Sequence, residues 1–145
     1  MAVRVRLRLR KEDVTLEVVA LVNSGYEADT PQLLIPVGLA RELGLWPPGP
    51  EMVEATFETA GGPLRVWIAR RAITVQVVAP DASSPEVEAD AVVSALADEA
   101  LISDRLAGAL SIAVEDFAEG LWRFRWEPKE KVRKSEAKIG GPARI

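Results

Sequence analysis

Cysteine and histidine are both missing from the 145 residues of this chain. Without a thiol there is no disulfide, no cysteine nucleophile and no thiolate metal ligand. Without an imidazole there is neither the commonest general base near neutral pH nor the commonest metal ligand. Carboxylates, hydroxyls, amides, lysine and arginine are left to carry any chemistry, and neither a metal nor a cofactor is expected. Long apolar runs are lacking too, since none approaches the ~20 residues needed to cross a bilayer. The opening Met1-Ala2-Val3-Arg4-Val5-Arg6 carries too much charge for a secretory leader. A cytoplasmic protein with no membrane attachment is the expectation.

The charge that is present is unevenly placed. Residues 1–126 hold 12 basic and 19 acidic side chains, while residues 127–145 hold 6 basic and 3 acidic ones, for a net charge of −4. The chain therefore divides into a body, 1–126, of a size suited to one domain, and a charged C-terminal extension, 127–145. The extension is poor in large apolar groups and reads as partly helical, lying outside the core and fraying at Gly140-Gly141-Pro142. A solvated or partner-docking tail accounts for it better than a nucleic-acid-binding arm.

Strand patterning starts at once. Val3, Val5, Leu7 and Leu9 alternate with Arg4, Arg6, Arg8 and Arg10, so the two sets occupy opposite faces of one strand. Lys11-Glu12-Asp13 turns the chain and Val14–Val22 returns. Four aligned arginines raise the possibility of phosphate binding. The body is acidic, however, and no aromatics are interleaved with the arginines, which favours an exposed sheet face that resists edge-to-edge pairing.

The returning strand, Leu16-Glu17-Val18-Val19-Ala20-Leu21-Val22, runs directly into Asn23-Ser24-Gly25. Valine suits a pleated, buried strand, whereas Asn and Gly accept positive φ, so a buried strand delivers polar groups onto a tight turn. Pro36 is placed to open a short helix, with Leu39 and Leu43 on one face and Gly44 to end it. Met52–Val78 reads as a long hairpin, with Val53–Thr59 rising, Gly61-Gly62 at the tip and Leu64–Ala69 descending, followed by a further strand over Ala72–Val78. Ala91–Ala95 is a short buried strand. Leu101, Ile102, Leu106, Ala109 and Leu110 recur at helical spacing, with Asp98 or Ser103 as the cap. Ile112–Val114 pairs with Leu121–Trp126, where Trp122, Phe124 and Trp126 share one face as core or subunit contact. The tally of strands and Gly/Pro turns is that of a mostly-β protein.

The order apolar strand, Asn23-Ser24-Gly25, Leu33-Leu34-Ile35-Pro36 and a small helix ending Leu43-Gly44-Leu45 resembles the retropepsin-like aspartic peptidases of the single-domain prokaryotic type. The resemblance extends from about Val3 to Trp126. It implies a closed acid-protease barrel of six to eight strands with two short helices. It also implies a homodimer that builds its site from two facing loops, here Asn23, Ser24 and Gly25. A mobile flap would close over a peptide, its tip formed by Thr59, Ala60, Gly61 and Gly62. Two departures stand out. Asn23 occupies the position of the catalytic Asp, and Ser94-Ala95 stands where the family's loop-bracing strand carries Gly.

Two facing carboxylates cleave peptides by sharing one proton, the ionised member activating water. An amide has no basic form near neutral pH, and in a homodimer the substitution strikes both halves. The expectation is a catalytically silent peptidase fold that binds a peptide or protein partner, with no catalytic residue at position 23. One alternative is an active peptidase that recovers a carboxylate, from Glu27, Asp29 or deamidated Asn23. Another is a nucleic-acid-associated protein using the arginine strand and the basic tail.

Overall fold

A computed structural model describes residues 2–138; Gly140-Gly141-Pro142 lies outside the described residues. β1 (Arg4–Lys11) and β2 (Val14–Val22) form the first hairpin. Val3, Val5, Leu7 and Leu9 are wholly buried, each worth about 1.5–3 kcal/mol relative to exposure. β3 (Gln32–Pro36) leads into α1 (Val37–Glu42), and β4 (Val53–Thr59) and β5 (Gly62–Val77) form the long hairpin. β6 (Val87–Ser94), β7 (Ala100–Ile102) and α2 (Asp104–Ala109) follow. β8 (Ile112–Asp116), β9 (Leu121–Phe124) and β10 (Arg133–Lys134) make a separate three-stranded sheet.

The strand order β1-β2-β7-β3-β6-β5 closes on itself because β1 also pairs with β5, from Leu7↔Val77 to Arg10↔Thr74. The result is a closed six-stranded barrel with β4 appended to its β5 edge. β2 runs parallel to β7 and β3 parallel to β6; the other pairs are antiparallel. The protein is thus mostly β, with two six-residue helices. Leu33, Ile35, Ala91, Val93 and Ile102 of the barrel strands, and Leu106 of α2, share one buried apolar core with the inward face of β1.

In three places the strands and helices differ from those expected of the sequence. The segments Leu64–Ala69 and Ala72–Val78 belong to one strand, β5, which bends at Arg70-Arg71, where the register slips and Arg71 takes φ +50°. The bulge is tolerated because the carboxylate of Asp90 accepts the Arg71 N–H at 2.8 Å, leaving no orphan donor. Leu101 and Ile102 are not helical; they lie in β7, which fills the gap between β2 and β3 and pairs with both. The helix starts only at Asp104, where Ser103 rather than Asp98 caps it, its Oγ accepting the Leu106 N–H at 3.1 Å. Of the aromatic stripe, Trp122 and Phe124 are buried, but Trp126 lies past the end of β9, 54% exposed and stacked on Phe124 at 4.4 Å.

Over residues 127–138 the extension is extended rather than helical and lies on the body. Arg133 and Lys134 pair with Trp122 and Leu121. The Ser135 N–H donates to Gly120 O at 2.7 Å and the Glu136 N–H to Arg4 O at 2.9 Å. The buried Glu127 carboxylate accepts the Phe124 N–H at 3.0 Å and the Arg133 guanidinium.

Candidate functional site

β2 ends where β7 ends, since parallel pairing sets Val22 opposite Ile102. The Asn23 N–H then donates to Ile102 O at 3.2 Å, and the Tyr26 N–H returns to Asn23 O at 3.0 Å. The turn between is closed by the Asn23 side chain, whose Oδ1 accepts the Gly25 N–H at 3.0 Å. This side-chain turn replaces the left-handed backbone expected from the sequence. Neither Asn23 nor Gly25 is among the residues with positive φ. Gly25 instead leaves room for the side-chain turn, because a Cβ there would meet Asn23 Oδ1 at 3.3 Å and press on it by a few tenths of an ångström. Ser24 and Gly25 are exposed and Asn23 is half-buried.

α2 braces the loop. The Asp104 N–H donates to Tyr26 O at 2.9 Å, and Asp104 Oδ1 accepts the Ala28 N–H at 3.0 Å. Ser103 exchanges two hydrogen bonds with the Gln32 main chain, both 3.1 Å. The strand and helix behind the loop are therefore β7 and α2, with Ser103 between them. Ser94-Ala95 does not fill that place. β6 runs parallel to β3 with Asp90 opposite Gln32 and Ser94 opposite Pro36, so Ser94 sits at the far end, its Oγ accepting the Leu96 N–H.

A polar chain runs inward from the loop and has no counterpart in the sequence reading. The Tyr26 hydroxyl donates to Gln32 Oε1 at 2.8 Å, Gln32 Nε2 donates to Thr30 Oγ1 at 3.2 Å, and Thr30 donates to Asp90 Oδ2 at 2.7 Å. Arg70 Nη1 approaches the same oxygen at 3.5 Å. Gln32 and Asp90 are 7% and 4% exposed, yet each polar end is occupied. Burial, and secondarily the charge of Asp90, raises the Tyr26 phenol above its ordinary value. The legible signal was Asp90 itself, a charge inside the otherwise apolar Ala89–Val93 run.

The β4–β5 hairpin reaches the loop through its body, not its tip. The Phe57 ring lies 6.3 Å from that of Tyr26. Both belong to an apolar cluster with Leu34, Val66, Ile68 and Val92, separate from the barrel core. The tip is the two-residue turn Ala60-Gly61 between Thr59 and Gly62. The Thr59 hydroxyl donates to Gly62 O at 2.6 Å and accepts the Gly61 N–H at 3.2 Å, while Gly62 takes φ +110°. Among the described residues no hydrogen bond joins this tip to Asn23, Ser24 or Gly25. Glu27 and Asp29 are exposed beyond the turn and make no hydrogen bond to Asn23.

The arginine face of β1 is matched by carboxylates. Arg4 chelates Glu99 at 2.9 and 3.1 Å, and Arg10 chelates Glu86 at 2.9 Å through both nitrogens. Arg6 meets Glu136 and Arg8 meets Glu17. A cavity of about 350 Å³ lies beneath the extension, lined by Arg6, Val78, Trp122, Arg133 and Lys134 among others, and shares no residue with the Asn23 loop. Among the described residues no group of carboxylates is arranged to hold a metal ion, and no helix is long and apolar enough to cross a membrane. No family model matches the chain, and neither does any curated protein.

Proposed function

We propose that this is a retropepsin-like protein, homodimeric through its Asn23 loops, that binds an extended peptide or protein segment without cleaving it. The observation that carries the reading is the Asn23 loop: a hydrogen-bonded turn at a strand end, braced by β7 and α2, with an amide where peptide hydrolysis requires a carboxylate. The Asn23 Oδ1 is committed to the Gly25 N–H, which leaves Nδ2 to donate to a peptide carbonyl. Nothing in the loop takes a proton from water. The apolar cluster around Phe57 and Leu64 would receive side chains, and the free edge of β4 offers main-chain pairing to an extended ligand. A phosphate-binding role for the arginine face is disfavoured, since each arginine already faces a carboxylate that a phosphate would have to displace.

The test is Asn23→Asp. Two facing carboxylates would resist joint ionisation, so one apparent pKa of the pair rises and proteolysis appears at mildly acidic pH. Unfolded protein should be cleaved by the variant and not by fresh parent. Cleavage by parent whose Asn23 is intact by mass spectrometry would overturn the silent reading. A monomer at micromolar concentration in sedimentation would remove the dimer.

A further inference from the structure

We propose that Asn23 is a self-modification site, at which the loop's own backbone converts the side-chain amide into a carboxylate. Asn23 is the sole asparagine in the chain. The hydrogen bond from Gly25 N–H to Oδ1, at 3.0 Å, closes a ring containing both Asn23 Cγ and the peptide nitrogen of Ser24. Those are the two atoms that must join. The same N–H polarises the amide carbonyl and sits where negative charge develops when Cγ becomes tetrahedral. Ser24 is exposed, and its N–H makes no hydrogen bond among the described residues, so solvent base has access to it. Asn23 Nδ2, the leaving group, is likewise unheld among the described residues. The main chain of Asn23 is held on both sides, its N–H by Ile102 O and its carbonyl by the Tyr26 N–H, so the loop keeps the Gly25 N–H against Oδ1.

The step balances without a co-reactant other than water. Hydroxide removes the Ser24 amide proton, and the nitrogen attacks Asn23 Cγ. The N–Cγ bond forms, the Cγ–Nδ2 bond breaks, and Nδ2 takes a proton from water and departs as ammonia. The resulting five-membered succinimide adds one water at either carbonyl, giving aspartate or isoaspartate at position 23. The glutamine amides differ in setting. Gln32 has both side-chain polar atoms engaged and is buried, and Gln76 Nε2 donates to Ser84 O at 3.0 Å.

This conversion does not depend on the peptide-binding reading, because its readout is mass rather than activity. Freshly purified full chain is incubated in heavy-oxygen water at neutral and mildly alkaline pH, alongside the same chain held unfolded in urea. Peptides spanning residues 16–41 are then followed by mass spectrometry. One retained hydrogen bond to the developing oxyanion corresponds to about tenfold in rate. The folded chain should therefore convert about tenfold faster than the unfolded one, faster with rising pH, and with heavy oxygen incorporated at Asn23 alone. Ser24→Pro, which removes the attacking N–H, should abolish it. Conversion as fast in the unfolded chain, or persisting in Ser24→Pro, would overturn the proposal; the comparison of folded with unfolded parent stands even if that variant fails to fold.

Discussion

Tyr26 is the only tyrosine in the chain, so an alkaline absorbance titration reports on the candidate loop through a single group. Its phenol is raised above the ordinary value of about 10 by burial first and by Asp90 second. The sign follows from linkage. Above pH ~10 the unfolded chain surrenders this proton while the folded chain keeps it, so this group's contribution is complete below pH ~10 and is lost as pH rises. The slope from this one group approaches about 1.4 kcal/mol per pH unit. Tyr26→Phe removes the 2.8 Å bond to Gln32 Oε1 and leaves that buried oxygen without its donor, a cost of about 1–3 kcal/mol at pH ~8. Urea denaturation across pH ~8–11 should show the parent's advantage over Tyr26→Phe shrinking once pH passes ~10. In parallel, the phenol of folded parent should stay silent where a free tyrosine titrates, and Asp90→Asn should move it part of the way back. A phenol titrating reversibly near 10 in folded protein, with a constant stability difference between parent and variant, would refute the reasoning.

Two further outcomes test the barrel and the extension. Leu7→Ala empties the centre of the buried β1 face and should cost about 2–5 kcal/mol in urea denaturation with an unchanged slope; a smaller loss would mean that the barrel collapses around the gap. Glu127 is held down to about 2, from an ordinary 4.5, first by the Arg133 guanidinium, with the Phe124 N–H and Lys131 adding to it. Its stabilisation is thus complete above pH 4.5 and lost as pH falls toward 2. Glu127→Gln should flatten the acid limb of the stability curve over that window, and parallel acid limbs would contradict it.

The barrel was legible where burial imposed a period. Val3 to Leu9 alternate without interruption because one face of β1 is core and the other is solvent, and the hairpin within Met52–Val78 is announced by glycines, although the turn itself is Ala60-Gly61 with Gly62 already paired. What could not be read depended on partners far along the chain. Leu101 and Ile102 fit a helical spacing and a strand equally well, and only the gap between β2 and β3 selects the strand. The bend at Arg70-Arg71 relies on Asp90 for its hydrogen bond. The same holds at the loop. Asn23-Ser24-Gly25 announced a turn, but the side-chain closure of that turn and the inward chain through Gln32, Thr30 and Asp90 are products of packing. The charged extension misled for a simpler reason. Its cations are spaced to meet Asp81 and Asp98 on the body and Glu127 at its own start, so composition resembling a free tail belongs to a segment that is tied down.

Barrel closure also dictates an order of events. β1 meets β2 across a short turn, but its other edge finds Val77 only when β5, some seventy residues along, is in place. A contact of such sequence separation carries a large loop-closure cost before it gains any pairing. Folding should therefore be slow for the chain's size, in the millisecond-to-second range of non-local β topologies, with the first hairpin formed early and the long-range β1–β5 and β2–β7 pairings sealed late.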